Sequence, residues 1–307
     1  MPATISSGSE LKAVLAEALR ARSGDGAACI GFVPTMGALH AGHVSLIERA
    51  ARECAVVVVS IFVNPTQFGP DEDFTRYPRD IDADLRVACG AGATLVFVPA
   101  VEEIYPEGLE GVKGTYNLTH LGARWEGAAR PGHFEGVALV VTRLLKIVNP
   151  DKAYFGEKDY QQLRVVSTLV SDLNIPTEIV ACPTIRDRDG LALSSRNRYL
   201  DEAQRRAARS IALALEAAQA LAKQGETCAT KLESAARSVL DTSLVVDYLA
   251  VVDALTLEPC PELSSTHETR LLLAVTCGTT RLIDNAPLSC ALGQGDGSGV
   301  PPASLPH

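Results

Sequence analysis

The chain has 307 residues and a formal net charge of -9 at pH 7, with 47% hydrophobic and 21% charged residues. This composition is typical of a globular protein, and the length favours two domains over one. The acidic balance argues against a nucleic-acid-binding protein, because such proteins usually carry a basic surface. No apolar run approaches the roughly 20 residues needed to cross a bilayer, so we expect no membrane partner.

The N-terminal sequence MPATISSGSE lacks the basic start and the apolar centre of a secretory signal. We therefore expect a cytoplasmic protein with reduced thiols. Eight cysteines are scattered along the chain, and no two form a Cys-x-x-Cys pair that would indicate a zinc or redox site. We expect them to be small apolar residues of the core.

Strand and helix patterns alternate through the first 185 residues. Runs rich in β-branched residues predict strands at 28–35, 55–63, 94–99, 152–156 and 175–183. Helical patterns between them cover 42–54, 80–89, 135–148 and 159–173. Several strands are apolar throughout, as expected when helices cover both faces of a sheet. The alternation predicts an α/β fold with a Rossmann-like, doubly wound parallel sheet, which binds ligands at the carboxyl ends of its strands.

After Arg198 the pattern changes to two Ala-rich helices followed by three strand-like runs. These segments are 201–223, 226–240, 245–254, 270–278 and 280–288. A short Gly-containing turn joins the last two runs, which predicts an antiparallel meander packed on helices in a smaller α+β domain. We therefore predict a first domain at 1–186, a second at 187–290 and, from its Gly, Pro and Ser content, a disordered tail at 291–307.

A glycine-rich turn with two histidines follows the first predicted strand. The segment from Gly31 to His43 reads GFVPTMGALHAGH and enters a helix whose first turn contains His43. Free N–H groups and the positive end of the helix dipole would face a ligand there, and histidines can donate to phosphate oxygens. The alternative is that either histidine satisfies only a local backbone group. The pattern His40-Ala-Gly-His43 resembles the His-x-Gly-His signature of the nucleotidyltransferase superfamily, which includes the class I aminoacyl-tRNA synthetases.

Two further motifs carry amides and an imidazole. Asn64 and Gln67 lie in IFVNPTQFG after the second strand, where their amides could recognise a hydroxyl or a carboxylate. The alternative is an ordinary Asn-Pro turn with an exposed glutamine. In RPGHFEGV, His133 stands where a loop enters a helix and is available to a ligand.

Two cationic motifs complete the set. The segment FGEKDYQQ follows another strand and opens a helix, so Lys158 could neutralise a phosphate that the helix dipole also attracts. The alternative is a solvated surface lysine. The segment DGLALSSRNR places Ser194, Ser195 and Arg196 on a loop at the boundary of the two predicted domains, a composition that suits a mobile phosphate clamp.

Taken in order, these five segments resemble the pantothenate synthetase (pantoate–β-alanine ligase) family from about Gly31 to Leu200. Weaker similarity continues in VDYL at 246–249 and GTTRLIDN at 278–285, and one departure is Leu193, where many relatives have Met. The resemblance implies an enzyme that condenses pantoate with β-alanine and ATP to form pantothenate, AMP and diphosphate through a pantoyl adenylate. It also implies Mg²⁺ as a cofactor, small-molecule substrates as partners and a homodimer.

The resemblance further implies three groups of site residues. The ATP site would contain Met36, Gly37, Ala38, Leu39, His40, Ala41, Gly42, His43, Gly156, Glu157, Lys158, Asp159, Ile185, Leu193, Ser194, Ser195 and Arg196. The catalytic residues among them would be His40, His43, Lys158, Ser194, Ser195 and Arg196. Pantoate and β-alanine would contact Asn64, Gln67, His133 and Gln162, beside an apolar wall of Pro34, Met36, Phe62 and Val137. His43 would be a proton donor, although we expect electrostatic stabilisation to be its larger effect.

The metal ligand and two other functions stay open. Asp82 or Asp84 could offer one carboxylate to a Mg²⁺ that bridges phosphates, or both could be solvated acids at the start of a helix. Another His-x-Gly-His nucleotidyltransferase is a second possible function, and its product would retain the nucleotidyl group. A catalytically silent nucleotide-binding relative is a third.

Overall fold

The computed structural model describes residues 3–22, 29–70, 72–109, 116, 118 and 121–289. The N-terminal part of the chain forms six strands: β1 (Ala3–Ile5), β2 (Ile30–Thr35), β3 (Val56–Ile61), β4 (Leu95–Phe97), β5 (Lys152–Gly156) and β6 (Glu178–Cys182). They form one sheet in the order β1-β4-β3-β2-β5-β6, and every pair of neighbours is parallel. The predicted doubly wound parallel sheet is confirmed.

Helices cover both faces of this sheet. They are α1 (Gly8–Arg22), α2 (Ala41–Glu53), α3 (Ile81–Gly90), α4 (Val101–Ile104), α5 (Glu126–Ala129), α6 (His133–Val148) and α7 (Tyr160–Asp172). Phe32 and Val58 pack in one cluster with α1, α6 and α7, whereas Val33 and Val59 pack in another with α2 and α3. Successive strand residues point to opposite faces, so β3 is apolar along its buried length because both faces are covered.

Two N-terminal elements were not predicted from the sequence. β1 has three residues, of which only Ile5 is buried, so it shows no apolar run of the kind that predicted β4, and it joins the sheet by pairing with β4. Helix α1 follows it and buries Leu11 and Leu15 in the same cluster as Phe32. Both elements are therefore defined mainly by their tertiary contacts.

The C-terminal part forms α8 (Glu202–Lys223), α9 (Ala229–Val239), β7 (Val245–Asp253), β8 (Thr269–Cys277) and β9 (Thr280–Leu288). The three strands are antiparallel in the order β7-β8-β9, and the two helices pack against them in one apolar cluster. Ala208, Ala214 and Ala218 of α8 are fully buried. Their small side chains allow the neighbouring elements to approach this helix closely. The predicted α+β organisation of this part is confirmed.

The strand order of the sheet reverses between β2 and β5. From β2 the chain proceeds to β3 and β4 on one side, whereas from β5 it proceeds to β6 on the other. In such sheets a crevice opens at the carboxyl ends of the strands on either side of this point. The boundaries predicted at 186 and 290 stay predictions, and the predicted tail at 291–307 lies outside the described residues. In the described part of the chain, no helix has the length and apolar character needed to span a bilayer.

Candidate active site

A cavity of about 240 Å³ lies at the carboxyl ends of the central strands. Its lining includes these residues of the predicted ATP site: Met36, His40, Gly42, His43, Gly156, Lys158, Asp159, Ile185, Leu193, Ser194, Ser195 and Arg196. The four predicted substrate residues line it too: Asn64, Gln67, His133 and Gln162. Pro34, Met36, Phe62 and Val137 also contribute to the wall. Gly37, Ala38 and Leu39 lie in the turn before α2, Ala41 is the first residue of α2, and Glu157 lies in the turn after β5. These five predicted residues are not among the lining residues.

The two histidines begin helix α2 and have a defined tautomer. His40 is the N-cap residue, and its Nδ1 accepts a hydrogen bond from Gly42 N at 3.1 Å. His43 Nδ1 accepts from His40 N at 3.3 Å, and the ring centroids are 4.1 Å apart. A neutral imidazole that accepts at Nδ1 carries its proton at Nε2. Each ring can therefore donate an Nε2–H to a ligand while its Nδ1 caps the helix.

Both histidines are neutral at neutral pH. Burial, and to a smaller extent the charge of Lys158, lower the pKa of His40 to about 4. Burial also lowers the pKa of His43, to about 3, with a smaller effect from His40. An anionic triphosphate in the cavity would act in the opposite direction, because a negative charge favours the protonated ring. Without a ligand, the two rings are uncharged hydrogen-bond donors.

Asp84 anchors the turn that leads to these histidines. The Asp84 carboxylate accepts hydrogen bonds from Ala38 N at 2.9 Å and Leu39 N at 2.7 Å, although it lies on helix α3. Gly37 has φ of +84°, and a Cβ there would lie 2.8 Å from Asp84 Oδ2, so the close approach requires glycine. Asp84 is 3% exposed, so the alternative that it is a solvated acid is wrong, whereas Asp82 is exposed as that alternative expected.

Gln67 is held by Asn64 in the floor of the cavity. Gln67 is 8% exposed, and its Oε1 accepts from Asn64 Nδ2 at 3.0 Å. Asn64 Oδ1 accepts from Tyr105 Oη at 2.7 Å and from Thr66 Oγ1 at 3.0 Å. A Cβ on Gly136 would lie 2.3 Å from Thr66 O, so only glycine allows α6 to approach this turn. The contacts of Asn64 are thus to protein atoms, and its predicted contact with substrate stays a prediction.

His133 supports the same turn from the other side. Its Nδ1 donates to Gln67 O at 2.9 Å, and its Nε2 accepts from Arg130 Nη1 at 3.0 Å. Arg130 is in turn fixed by two hydrogen bonds to the carboxylate of Glu72, at 2.6 and 2.7 Å. Burial, and then the charge of Arg130, lower the pKa of His133 to about 4. His133 is therefore neutral, with both ring nitrogens bound to protein, and its predicted contact with substrate also stays a prediction.

Lys158 enters the cavity from a 3₁₀ turn, Glu157–Asp159, between β5 and α7. The side chain is 20% exposed, and Nζ lies 3.7 Å from Asp159 Oδ1. The turn stands at the carboxyl end of β5, beside the strand that leads to His40. Lys158 thus lies at the carboxyl ends of the strands, where the sequence predicted it.

The two adjacent glutamines of α7 have different environments. Gln162 lines the cavity. Gln161 is 5% exposed and donates from Nε2 to Leu121 O at 2.6 Å and Arg124 O at 2.9 Å. Neighbouring helix residues point about 100° apart, so only one of the pair can face the cavity. Gln162, the glutamine predicted as a substrate residue, is the one that does.

Arg196 lines the cavity and is held by Asp73. Ser194 caps a 3₁₀ turn, Ser195–Tyr199, by accepting from Arg196 N at 3.3 Å. The Arg196 guanidinium makes two hydrogen bonds to the carboxylate of Asp73, at 2.8 and 3.1 Å. Tyr77 Oη lies 3.4 Å from Ser195 Oγ. These contacts connect the predicted phosphate clamp to the segment that follows Gln67.

Sequence reasoning missed several residues that shape this site, namely Asp73, Tyr77, Arg130 and Thr184, and it considered Asp84 only as a possible magnesium ligand. Tyr77, Arg130 and Thr184 line the cavity. Asp73 binds Arg196, which also lines it, and Asp84 binds the adjoining turn at Ala38. Arg130 stood in a quoted motif, and its position three residues before His133 was the available signal. No local pattern distinguishes Asp73 or Asp84 from a surface acid.

A magnesium ion could be held here only with the help of a ligand. Among the described residues, no group of three or more His, Cys, Asp or Glu side chains could hold a metal. Asp159 is the acidic residue among those that line the cavity. Its surroundings disfavour the charged carboxylate, but Lys158 and Arg196 hold its pKa below the ordinary value. One ionised carboxylate fits a Mg²⁺ ion that obtains its other ligands from phosphates and water.

The sequence matches one protein family over almost its whole length. The profile of the family described as pantoate-beta-alanine ligase matches residues 3–287. A pantothenate synthetase from Rubrobacter xylanophilus is 52% identical over 271 residues, which cover 86% of this chain and 92% of that protein. One from Moorella thermoacetica is 51% identical over 261 residues, which cover 84% and 90%.

Two solved structures are similar to this one throughout. A pantothenate synthetase from Thermus thermophilus superposes with a TM-score of 0.82 at 47% identity, covering 92% of this chain and 98% of that one. A pantoate-beta-alanine ligase from Francisella tularensis superposes with a TM-score of 0.72 at 34% identity, covering 93% and 97%. That structure is a complex with beta-gamma ATP and beta-alanine.

Proposed function

Since the chain belongs to the pantoate–β-alanine ligase family, we propose that the cavity carries out the ligation in two steps, through a pantoyl adenylate. The overall activity is the ATP-dependent condensation of pantoate with β-alanine to give pantothenate. Family membership sets aside the two other functions that the sequence left open, a nucleotidyltransferase acting on a phosphate ester and a catalytically silent relative.

The two-step route solves a chemical problem. A carboxylate resists attack by an amine until one of its oxygens belongs to a good leaving group. In the first step a carboxylate oxygen of pantoate attacks the α-phosphorus of ATP, and diphosphate leaves. In the second step the amine of β-alanine attacks the carbonyl carbon and loses a proton, and AMP leaves with the electrons of the broken C–O bond. Because the carboxylate is already ionised, the first step needs charge stabilisation more than a base.

The nucleotide side of the cavity stabilises the developing charge. His40 and His43 donate Nε2–H groups to phosphate oxygens, and Lys158, whose charge lowers the pKa of both rings, adds a positive charge. Ser194 and Ser195 donate hydroxyl protons, and Arg196 completes the clamp. Support comes from the Nδ1 acceptor bonds of both histidines, which leave each Nε2–H for a ligand. Gly37 to Leu39 in the turn and Ala41 at the start of α2 contribute through their backbone.

The remaining part of the nucleotide site holds the base and ribose. Gly156, Glu157 and Asp159 lie next to Lys158 in sequence, and Ile185 and Leu193 offer apolar contacts for the adenine. Support for this comes from a backbone hydrogen bond of 2.9 Å between Leu193 N and Ile185 O, which holds these two side chains next to each other. An adenine would be bound between apolar groups and backbone polar atoms, as is usual for a ligand pocket.

The other side of the cavity binds pantoate. Gln67 and Gln162 hydrogen-bond its hydroxyl and carboxylate groups, and Phe62 and Val137 contact its two methyl groups. Asn64 and His133 hold Gln67 in place, and this arrangement also leaves them close to the substrates. Support comes from the burial of Gln67 and its bond to Asn64, because a fixed amide can recognise a ligand at a small entropic cost.

Mg²⁺ accompanies ATP in this proposal, and Asp159 is the carboxylate that would complete its shell. When bound, the ion neutralises charge on the phosphates and on the departing diphosphate.

We also propose a homodimer, a cytoplasmic location and two domains divided near residue 186. Size-exclusion chromatography with light scattering measures the first of these, and a monomer at micromolar concentration would contradict it.

A single observation carries the proposed mechanism: the two Nε2–H donors, Lys158 and Arg196 line the same cavity as Gln67 and Gln162. Its test is an assay that measures AMP and diphosphate while each substrate is omitted in turn, with mass detection of pantothenate. We expect diphosphate release to require pantoate, and AMP release to require β-alanine as well. Diphosphate release that is independent of pantoate would contradict a pantoyl adenylate.

A further inference from the structure

The C-terminal sheet makes a specific contact with the turn that carries Lys158. Asn285 lies in β9, and its Nδ2 donates to Glu157 O at 2.9 Å and to Lys158 O at 3.0 Å. One amide group therefore binds two consecutive carbonyls of the 3₁₀ turn, and 127 residues separate Asn285 from Lys158. Two bonds to successive peptide units restrict both the position and the rotation of the turn.

Arg270 fixes the orientation of the Asn285 amide. Its Nη1 donates to Asn285 Oδ1 at 2.6 Å, so Nδ2 must face the carbonyls. The Arg270 guanidinium lies over the ring of Tyr160, 3.8 Å from the centroid, and within 3.4 Å of the Glu157 carboxylate. Arg270 and Asn285 are each 5% exposed. A buried amide whose oxygen and nitrogen are both bound cannot rotate freely, so the contact is rigid.

The neighbouring residue of β9 holds a second segment of the nucleotide site. Asp284 accepts two hydrogen bonds from the guanidinium of Arg186, at 2.5 and 3.0 Å, and its side chain is 1% exposed. Arg186 directly follows Ile185, which lines the cavity. Adjacent residues of one strand thus hold two loops that follow β5 and β6. The C-terminal sheet thus supports two loops of the nucleotide site.

We propose that Asn285 is a positioning residue for Lys158, and that it keeps the ammonium group aimed at the phosphates during adenylation. This inference rests on the proposed contact between Lys158 and the triphosphate. Asn285 does not line the cavity; it acts through the turn. A shift of about 1 Å in a group that stabilises a transition state can lower a rate by roughly 100-fold. The adenylation step should therefore depend on Asn285 more than the aminolysis step does.

The test replaces Asn285→Leu, which keeps the volume and removes the amide. We expect pantoate-dependent exchange of diphosphate into ATP to fall by roughly 10- to 100-fold, whereas the KM for β-alanine stays close to that of the unmodified protein. The matched control is Thr269→Val, which removes the hydrogen bond from Thr269 Oγ1 to Leu288 O in the same sheet. Thr269 is 1% exposed and its hydroxyl binds Leu288 O rather than the Lys158 turn, so exchange should be unchanged. An equal loss in both variants would overturn the proposal in favour of general destabilisation.

A double-mutant cycle separates this inference from the proposed function. If Asn285 acts through Lys158, then Asn285→Leu should reduce exchange little further in a protein that already carries Lys158→Ala. Independent, multiplicative losses would overturn the positioning role while leaving the proposed function intact. Near-normal exchange in Lys158→Ala alone would instead contradict the proposed contact with phosphate.

Should Asn285→Leu not fold, a second variant is Asn285→Asp, which retains the shape and the contact with Arg270. It should show the same loss, because a carboxylate cannot donate to the two carbonyls.

Discussion

At the scale of single residues, the helix cap determines what the two histidines can do. Each Nδ1 accepts a backbone N–H, and burial lowers the pKa of each ring, so both present Nε2–H in a neutral form. A charged ring would need a proton on Nδ1 and would lose its bond to the backbone. Stabilisation by a neutral donor is therefore the direct consequence of this geometry, and proton donation requires a ligand that raises the pKa.

Replacement of His43 distinguishes these two roles. His43→Leu should lower turnover by at least ~10²-fold, because it removes a donor that acts on transition-state charge. His43→Gln can place an amide N–H near the position of Nε2 but cannot titrate, so we expect it to recover part of that loss. The measurement is steady-state turnover at saturating substrates, with circular dichroism to verify folding. Equal losses in the two variants would favour obligatory proton donation.

At the scale of elements, the turn between β2 and α2 is shaped by a side chain from another helix. Ala38 has φ of +52°, a strained conformation for a residue with a side chain, and its N–H binds Asp84. The carboxylate satisfies two adjacent N–H groups of the turn at the start of α2. Helix α3 is thereby coupled to the position of His40.

Asp84→Asn tests this coupling. The oxygen of the new amide can accept a hydrogen bond from one of the two N–H groups, but its NH₂ group would face the other N–H, so one hydrogen bond is lost. This should lower the free energy of unfolding by about 1–3 kcal/mol. Because the turn would shift, we also expect a weaker affinity for ATP. Asp82→Asn is the matched control on the same helix, since Asp82 is exposed, and it should change neither quantity. Urea unfolding and isothermal titration with ATP are the measurements, and an unaffected Asp84→Asn would contradict the anchoring role.

At the scale of the whole molecule, the site imposes a pH dependence on stability. The pKa values of His40 and His133 are lowered to about 4 and that of His43 to about 3, below an ordinary value of 6.5. Between these values and 6.5 the unfolded chain binds protons that the folded chain does not. The free energy of unfolding should therefore fall as the pH is lowered through this window.

Urea unfolding at about pH 7 and about pH 5 measures this effect, since carboxylates with ordinary pKa values remain largely ionised there. We expect the loss of unfolding free energy between the two pH values to be smaller in His133→Gln, because one of the three protons is no longer taken up on unfolding. A loss equal to that of the unmodified protein would show that His133 titrates normally in the folded state.

Much of the fold follows from local patterns. The apolar run of β3 and the periodic helices α6 and α8 were predicted within a few residues of their observed bounds, because an apolar run and a period of 3.6 residues are properties of contiguous sequence. The short strand β1 was not, since only Ile5 of its three residues is buried and its pairing with β4 is long-range. The position of the cavity also follows from sequence, because three of the five motifs directly follow β2, β3 and β5, and parallel strands end at one edge of a sheet.

The sequence by itself determined the fold class, the family resemblance and many of the residues that meet at the cavity. Only the tertiary structure decided which of them face a ligand and which support others. Asp84 is 46 residues from Ala38, and Asn285 is 128 residues from Glu157. An isolated Asp or Asn has the same local signal in solvent as in such a contact. Its role depends on which distant backbone groups the packing of helices and sheets brings within hydrogen-bond distance.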